Sequence, residues 1–144
     1  MREAARSVTE EKTELELPSR VEAISQAANA AAEVVQRLGL GEEAAFGIDM
    51  AIREAVTNAV LHGNGQDETK MVGLAFVVTP ERLEITVRDQ GEGFDPADVP
   101  DPTDPRNLLK ASGRGIFFMR TFMDTVEWSR HPQGGTLVRM SKKR

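Results

Sequence analysis

The sequence predicts a single α+β domain, a two-layer sandwich in which a mostly antiparallel, mixed sheet carries helices on one face. Two observations lead to this prediction. Predicted strands occur in pairs separated by short turns, which is typical of antiparallel hairpins. Two long segments with helical periodicity stand between the first predicted strand and the first hairpin. The chain has 144 residues, of which residues 1–11 are expected to form a flexible N-terminus and residues 12–144 one domain.

The first half of the chain is predicted to form one strand and two helices. Residues 13–17 alternate between polar and apolar side chains and precede a proline, which predicts a short strand. Residues 19–22 have the spacing of a capping box, so we expect the first helix to begin there and to run to Leu38. A second helix is expected over residues 42–62, and the glycine-rich stretch that follows residue 62 should end it.

The second half of the chain is predicted to form two hairpins that are separated by a long loop. The four expected strands are residues 71–78, 82–87, 125–129 and 136–140. Residues 89–112 are rich in Pro, Asp and Gly, and a loop of that length is usually functional or a linker. A short apolar helix over residues 116–122 follows it.

Composition excludes several classes of protein. The sequence contains no cysteine, which excludes disulfides and thiolate metal sites, and its two histidines are too far apart in the chain to suggest a zinc motif. A net charge of −5 argues against nucleic-acid binding. The longest aliphatic run, Leu74–Val78, is too short to cross a membrane, and the N-terminus lacks the apolar core of a signal peptide. We therefore expect a cytoplasmic protein.

A carboxylate and an amide stand one turn apart on the second predicted helix. Glu54 and Asn58 are away from the apolar arc of that helix, and small or apolar residues flank them. A solvated helix face is one interpretation, although such faces usually carry long charged side chains. A ligand site is the other, because the amide oxygen of Asn suits Mg²⁺, which takes few protein ligands.

Two glycine motifs follow, and each is weak evidence by itself. Asp89 follows a predicted strand and precedes Gly91 and Gly93, a pattern that fits a turn or a loop whose carboxylate accepts a hydrogen bond from the amine of a base. Gly113-Arg114-Gly115 precedes the apolar helix, and it fits a flexible helix entry or an anion site. Neither the P-loop motif nor the G-x-G-x-x-G dinucleotide motif occurs.

In this order the motifs resemble the N, G1 and G2 boxes of the gyrase, chaperone, histidine-kinase and mismatch-repair ATPase superfamily. The boxes read Glu54-Ala-Val-Thr-Asn58, Asp89-Gln-Gly-Glu-Gly-Phe94 and Gly113-Arg114-Gly115. Gly134-Gly135-Thr136 resembles the glycine–threonine motif before the last strand of that superfamily. The resemblance covers roughly residues 20–140 and implies the histidine-kinase-like ATPase fold.

The resemblance implies a site for ATP and Mg²⁺. Asp89 would hold the adenine amino group, Asn58 the Mg²⁺, and residues 95–112 would form a lid over the phosphates. Arg106 or Lys110 of the lid would help to neutralise charge during phosphoryl transfer. The implied nucleotide-binding set is Asn58, Asp89, Gly91, Gly93, Gly113, Arg114, Gly115 and Thr136.

Within the superfamily, the chain is most similar to the anti-sigma-factor serine kinases. The residues that carry this likeness are Ala55–Gly63, Gly93–Pro96 and Gly113–Arg120. Members of that family bind a sigma factor and phosphorylate a serine of an anti-anti-sigma protein, and homodimerisation is common among them. The family places a glutamate at the position of Glu54 as the general base, so the resemblance implies that Glu54 is catalytic.

Two other functions stay open at this point. The protein could be a non-catalytic switch in which the nucleotide only changes the affinity for a protein partner. It could also be a detached ATPase module that supplies phosphate to a histidine on a separate signalling protein. Glu54 favours the serine kinase, because a pure binding protein has no need of a base.

Overall fold

Five strands form one antiparallel sheet. The computed structural model describes residues 10–65, 67–91, 117 and 119–144. The strands in this part of the chain are β1 (Glu11–Pro18), β2 (Met71–Val78), β3 (Arg82–Arg88), β4 (Thr125–Arg130) and β5 (Thr136–Lys143). Their order in the sheet is β1-β2-β3-β5-β4, and every pairing among them is antiparallel. The predicted α+β fold is confirmed, with no parallel pairing among these strands.

Two helices connect β1 to β2. They are α1 (Glu22–Leu38) and α2 (Glu42–Asn58), and a π-helical turn, Ala59–Gly63, continues α2. The predicted second helix is confirmed, with a change of pitch after Asn58 that the apolar periodicity did not indicate. Such single π turns inside helices often occur at functional sites.

The predicted capping box is wrong. Val21 occupies the N-cap of α1 in a helical conformation, and no side chain caps the helix. The hydroxyl of Ser19 instead donates a hydrogen bond of 2.7 Å to the carbonyl oxygen of Lys70, just before β2. Ser19 is buried, so its hydroxyl bonds to the neighbouring strand connection rather than to the open end of α1.

The core lies between one face of the sheet and the two helices. Alternate residues of β2 and β3 are buried, as period-two patterning requires. They join the buried residues of α1 and α2 in one apolar cluster. Its largest fully buried apolar side chains are Phe76, Ile48, Ile52, Leu83, Ile85, Met119 and Met140. This packing fixes α2 across the sheet and brings its C-terminal end to the edge where β3 ends and β5 begins.

Several predictions fall on residues outside the described ranges. Most of the expected flexible N-terminus and the whole expected lid, residues 95–112, lie there. Within the described ranges, no helix has the length and apolar character needed to cross a membrane.

Candidate functional site

Asp89 is a buried carboxylate at the end of β3. Its side chain is 1% exposed. One carboxylate oxygen, Oδ2, accepts a hydrogen bond of 3.2 Å from the backbone N–H of Thr136, and Oδ1 accepts one of 3.2 Å from the backbone N–H of Gly91. The backbone N–H of Asp89 donates in turn to the carbonyl oxygen of Thr136 at 3.1 Å. The first residue of β5 and the loop after β3 therefore fix the direction of the carboxylate.

Burial and these bonds act on the pKa of Asp89 in opposite directions. Burial raises the pKa of the carboxyl above its ordinary value, and this effect is the largest. The backbone N–H groups of Thr136 and Gly91 and the positive charges of Arg130 and Arg88 oppose the rise in pKa. Hydrogen bonds in such a poorly solvated position are stronger than in water, so the carboxylate suits recognition of an amine.

Three glycines let separate segments close around Asp89. A Cβ atom on Gly63 would collide with the carboxylate of Asp89, and one on Gly135 would collide with its carbonyl oxygen. A Cβ atom on Gly91 would collide with the carbonyl oxygen of Gly63. The π-helical turn, the loop after β3 and the start of β5 thus meet where no side chain fits. Gly63 and Gly135 were not predicted as site residues, although both lie in glycine-rich stretches.

Asn58 and Glu54 of α2 are not part of a solvated face. Asn58 is 1% exposed, and neither its amide oxygen nor its amide nitrogen has a hydrogen-bond partner among the described residues. The Oε2 atom of Glu54 is also buried and has no such partner within that part of the chain. Burial raises the pKa of Glu54 to about 7. Unpaired buried polar groups are costly, so this pair is a candidate ligand site.

The donor set fits Mg²⁺ that a nucleotide brings with it. The described residues contain no cluster of three or more His, Asp or Glu side chains able to hold a metal ion by themselves. The buried, unpartnered Oδ1 of Asn58 is a hard oxygen of the type that Mg²⁺ prefers. Because Mg²⁺ commonly takes one or two protein ligands together with phosphates and waters, one amide oxygen suffices.

Asn58, Asp89 and Thr136 line one narrow cavity between α2 and the sheet. The other side chains that line it are Ala55, Ala59, Val87, Met119, Trp128 and Val138. The walls are apolar and the polar groups are few, and the free space between them is about 10 Å³, which is room for about one water molecule. The structure therefore brings together the N-box asparagine, the G1 aspartate and the threonine before the last strand.

The structure describes part of the predicted set. Glu54, Asn58, Asp89, Gly91 and Thr136 lie in the described ranges. The remaining predicted residues, Gly93, Arg106, Lys110, Gly113, Arg114 and Gly115, lie outside them. Sequence reasoning missed Trp128, which belongs to no motif and reaches the cavity only through the pairing of β4 with β5.

Comparison with known families decides the identity of this fold. The family of histidine kinase-like ATPase domains matches residues 17–142. The chain belongs to the histidine kinase-like ATPase family. The match runs from the end of β1 to the last residue but one of β5, and it confirms the superfamily predicted from the three boxes.

Curated relatives confirm the predicted branch of this family. A protein named serine-protein kinase RsbW in Halalkalibacterium halodurans is 32% identical over 138 residues, which are 92% of this chain and 83% of the relative. The RsbW of Oceanobacillus iheyensis is 29% identical over 135 residues, 90% of this chain and 84% of the relative. An anti-sigma F factor of Clostridium perfringens is 36% identical over 100 residues, 67% of this chain and 70% of the relative.

Solved structures share the fold at low sequence identity. The RsbU and RsbW domains of Rv1364c from Mycobacterium tuberculosis match with a TM-score of 0.67 and 18% identity, over 93% of this chain and 33% of that one. The SiaB–SiaC complex of Pseudomonas aeruginosa matches with a TM-score of 0.62 and 13% identity, over 100% of this chain and 95% of that one. At these identities the likeness concerns the fold of the ATPase-like domain.

Proposed function

We propose that the protein is an ATP-dependent serine kinase that phosphorylates a serine on an anti-anti-sigma protein and also binds a sigma factor. The observation that carries the proposal is the meeting of Asp89, Asn58 and Thr136 in one cavity. The similarity to proteins named serine-protein kinase and anti-sigma F factor supports the choice of substrate and partner. The position of Glu54, one turn before Asn58, supports catalysis over simple binding.

In this proposal the walls of the cavity separate to admit the adenine ring of ATP, because the free space of about 10 Å³ holds about one water molecule in the nucleotide-free protein. The carboxylate of Asp89 accepts a hydrogen bond from the amino group of the base, and the backbone N–H groups of Thr136 and Gly91 hold that carboxylate in place. The glycines around Asp89 allow the loop after β3 to approach the ring. The apolar walls provided by Val87, Val138 and their neighbours exclude water from its faces.

Glu54 and Asn58 serve the phosphate end of the nucleotide. Asn58 would hold Mg²⁺, which neutralises charge on the phosphates when it is bound. With a pKa of about 7, Glu54 is partly ionised at neutral pH, so it can take a proton. The serine oxygen of the partner forms a bond to the γ-phosphorus, the bond from that phosphorus to the β–γ bridging oxygen breaks, and the serine proton passes to Glu54. ADP is the leaving group.

A nucleotide titration followed by thermal unfolding tests the site. ATP or ADP at about 100 times its Kd should add roughly 2.7 kcal/mol to the free energy of unfolding. Asp89→Ala should lose this shift in Tm, and Asn58→Ala should lose its dependence on Mg²⁺. Asp49→Ala is the matched control, because Asp49 lies on α2 and forms an exposed ion pair with Arg53. A folded wild type without a shift in Tm would contradict the nucleotide site.

A phosphate-transfer assay tests the reaction separately. Wild-type protein, ATP, Mg²⁺ and a serine-bearing anti-anti-sigma protein should give phosphoserine. Glu54→Gln should still bind nucleotide but transfer phosphate far more slowly, because the amide cannot accept the proton. Transfer at the wild-type rate by Glu54→Gln would remove the base role. Binding without any transfer in the wild type would favour the non-catalytic switch, and transfer to a histidine of another protein would favour the detached module.

The proposal also includes a homodimer and a cytoplasmic location, where ATP and sigma factors are found. An open groove on the sheet face opposite the helices supports the dimer, since small side chains of β2 lie there between charges of both signs on the flanking strands. The groove is lined in part by Gly73, Ala75, Val77, Lys12, Glu14, Glu16, Glu84, Arg88 and Arg139. A face of mixed charge can pair with itself about a twofold axis. Sedimentation equilibrium should give a dimer for the wild type and a monomer for Ala75→Arg, and a monomeric wild type would contradict the dimer.

A further inference from the structure

Trp128 lies on the wall of the nucleotide cavity and carries a hydrogen-bond donor without an acceptor. It pairs with Val138 across β4 and β5, and both side chains line the cavity that contains Asp89. The indole Nε1 atom is buried, and no residue in the described part of the chain accepts its hydrogen bond. Buried indole N–H groups usually have a partner. The missing acceptor therefore calls for an explanation at the site itself.

The indole ring is held in a defined orientation. The guanidinium carbon of Arg120 lies 5.2 Å from the centroid of the ring, which is the geometry of a cation–π contact. The pairing of Trp128 with Val138 fixes the strand beneath the ring. Both contacts involve the ring or the backbone, and neither of them accepts the Nε1 proton. A role in core packing would explain the ring, but it leaves the donor unexplained.

We propose that the Nε1–H group of Trp128 donates a hydrogen bond to an adenine ring nitrogen beside the amino group, so that Trp128 determines specificity together with Asp89. This inference rests on the proposed binding of ATP. The amino group of adenine is a donor flanked by two ring nitrogens, N1 and N7, which are both acceptors. Asp89 offers an acceptor to the amino group, and Trp128 offers a donor to one neighbour. Both residues line the same cavity, so an acceptor and an unpartnered donor are available there for this edge of the base.

The variant Trp128→Phe isolates the donor, because it keeps an aromatic ring and removes the N–H group. Calorimetric titration with ADP and Mg²⁺ should show an affinity about 3- to 10-fold lower than that of the wild type, as for one hydrogen bond. Glu127→Gln is the matched control: Glu127 precedes Trp128 on β4 but is exposed and does not line the cavity, so ADP affinity should be nearly unchanged. Without nucleotide, Trp128→Phe should be at least as stable as the wild type, because the substitution removes a buried donor that has no hydrogen-bond partner among the described residues.

Two nucleotide analogues identify the acceptor. One of the two analogues, 1-deaza-ADP or 7-deaza-ADP, should bind the wild type about 3- to 10-fold more weakly than ADP does. Trp128→Phe should bind that analogue and ADP with equal affinity. Undiminished binding of both analogues by the wild type overturns the inference, even where Trp128→Phe fails to fold. ADP affinity unchanged in folded Trp128→Phe also overturns it, while nucleotide binding that depends on Asp89 stands. A wild type that binds no ADP overturns the proposed function and this inference together.

Discussion

The side-chain oxygen of Asn64 accepts a hydrogen bond of 2.7 Å from the backbone N–H of Gln90, the residue that follows Asp89. The Nδ2 group of Asn64 donates to the hydroxyl of Ser19 at 2.6 Å and to the carbonyl oxygen of Met71 at 3.1 Å. Asn64 is 4% exposed. One buried side chain therefore joins the end of the π-helical turn, the start of β2, the connection between β1 and α1, and the loop that carries Asp89.

Asn64→Ala should lower both stability and nucleotide affinity. The substitution leaves the buried hydroxyl of Ser19 and partly buried backbone groups of Met71 and Gln90 without this partner, so we expect the free energy of unfolding to fall by about 2–4 kcal/mol. Affinity for ADP should fall because the backbone next to Asp89 loses its anchor. Urea unfolding and calorimetric titration measure the two effects. Ser19→Ala is the control: it should cost stability but keep the affinity, and equal losses of affinity in both variants would contradict the anchoring role.

Asn58→Leu should stabilise the nucleotide-free protein while it removes Mg²⁺-dependent binding. Both amide atoms of Asn58 are buried without partners among the described residues, so an apolar side chain of similar shape should raise the free energy of unfolding by about 1–2 kcal/mol. Asn64→Leu is a matched comparison at another buried asparagine, and it should destabilise because Asn64 makes three hydrogen bonds. Urea unfolding of both variants without nucleotide tests this contrast, and destabilisation by Asn58→Leu would contradict it.

Two adjacent glycines separate backbone strain from collision with Asp89. Gly134 and Gly135 have φ angles of 100° and 89°, so Ala at either position should cost about 1–2 kcal/mol of stability. A Cβ atom on Gly134 has no neighbour within 4 Å, whereas one on Gly135 collides with the carbonyl oxygen of Asp89. Gly135→Ala should therefore cost about 1–3 kcal/mol more than Gly134→Ala and should alone weaken ADP binding. Equal effects of the two variants on Tm and on affinity would contradict this reading of the contact.

The ionisation of Glu54 should make the stability of the nucleotide-free protein depend on pH. Burial raises its pKa from 4.5 to about 7, so the folded state binds more protons than the unfolded state between these values. The contribution of Glu54 to the free energy of unfolding is therefore fully present below pH 4.5, and it is lost as the pH rises through about 7. At one pKa unit per 1.36 kcal/mol, the loss is about 3 kcal/mol at most.

Glu54→Gln should remove this dependence. We expect the variant and the wild type to have similar free energies of unfolding near pH 4.5, where Glu54 is largely protonated in the folded protein. Above about pH 7 the variant should be the more stable of the two, because the buried amide carries no charge whereas Glu54 is ionised there. Urea unfolding at a series of pH values measures the difference. Asp49→Asn is the control on the exposed side of α2 and should not reproduce the trend. A stability difference that is constant with pH would contradict the raised pKa.

Much of the fold could be predicted because it depends on local patterns. Strand β3 buries alternate residues, and that alternation is visible in the sequence, whereas β2 is a continuous apolar run whose buried face only the structure shows. The second helix was predicted from its apolar arc, but the π-helical turn at its end was not, since a change of pitch leaves no simple periodic signal. The capping box at residues 19–22 was wrong because the hydroxyl of Ser19 donates its hydrogen bond to Lys70, which is distant in sequence.

The sequence by itself determined the order of the elements and the identity of the box residues, since hydrophobic periodicity and short spacings are properties of neighbouring positions. Tertiary structure alone decided that Asn58 is buried without a partner and that Gly63 and Gly135 close around Asp89. It also decided that Trp128 reaches the same cavity, through the register between β4 and β5. The reason is physical: burial, strand register and close backbone approach arise between segments far apart in the chain, and no local pattern encodes them.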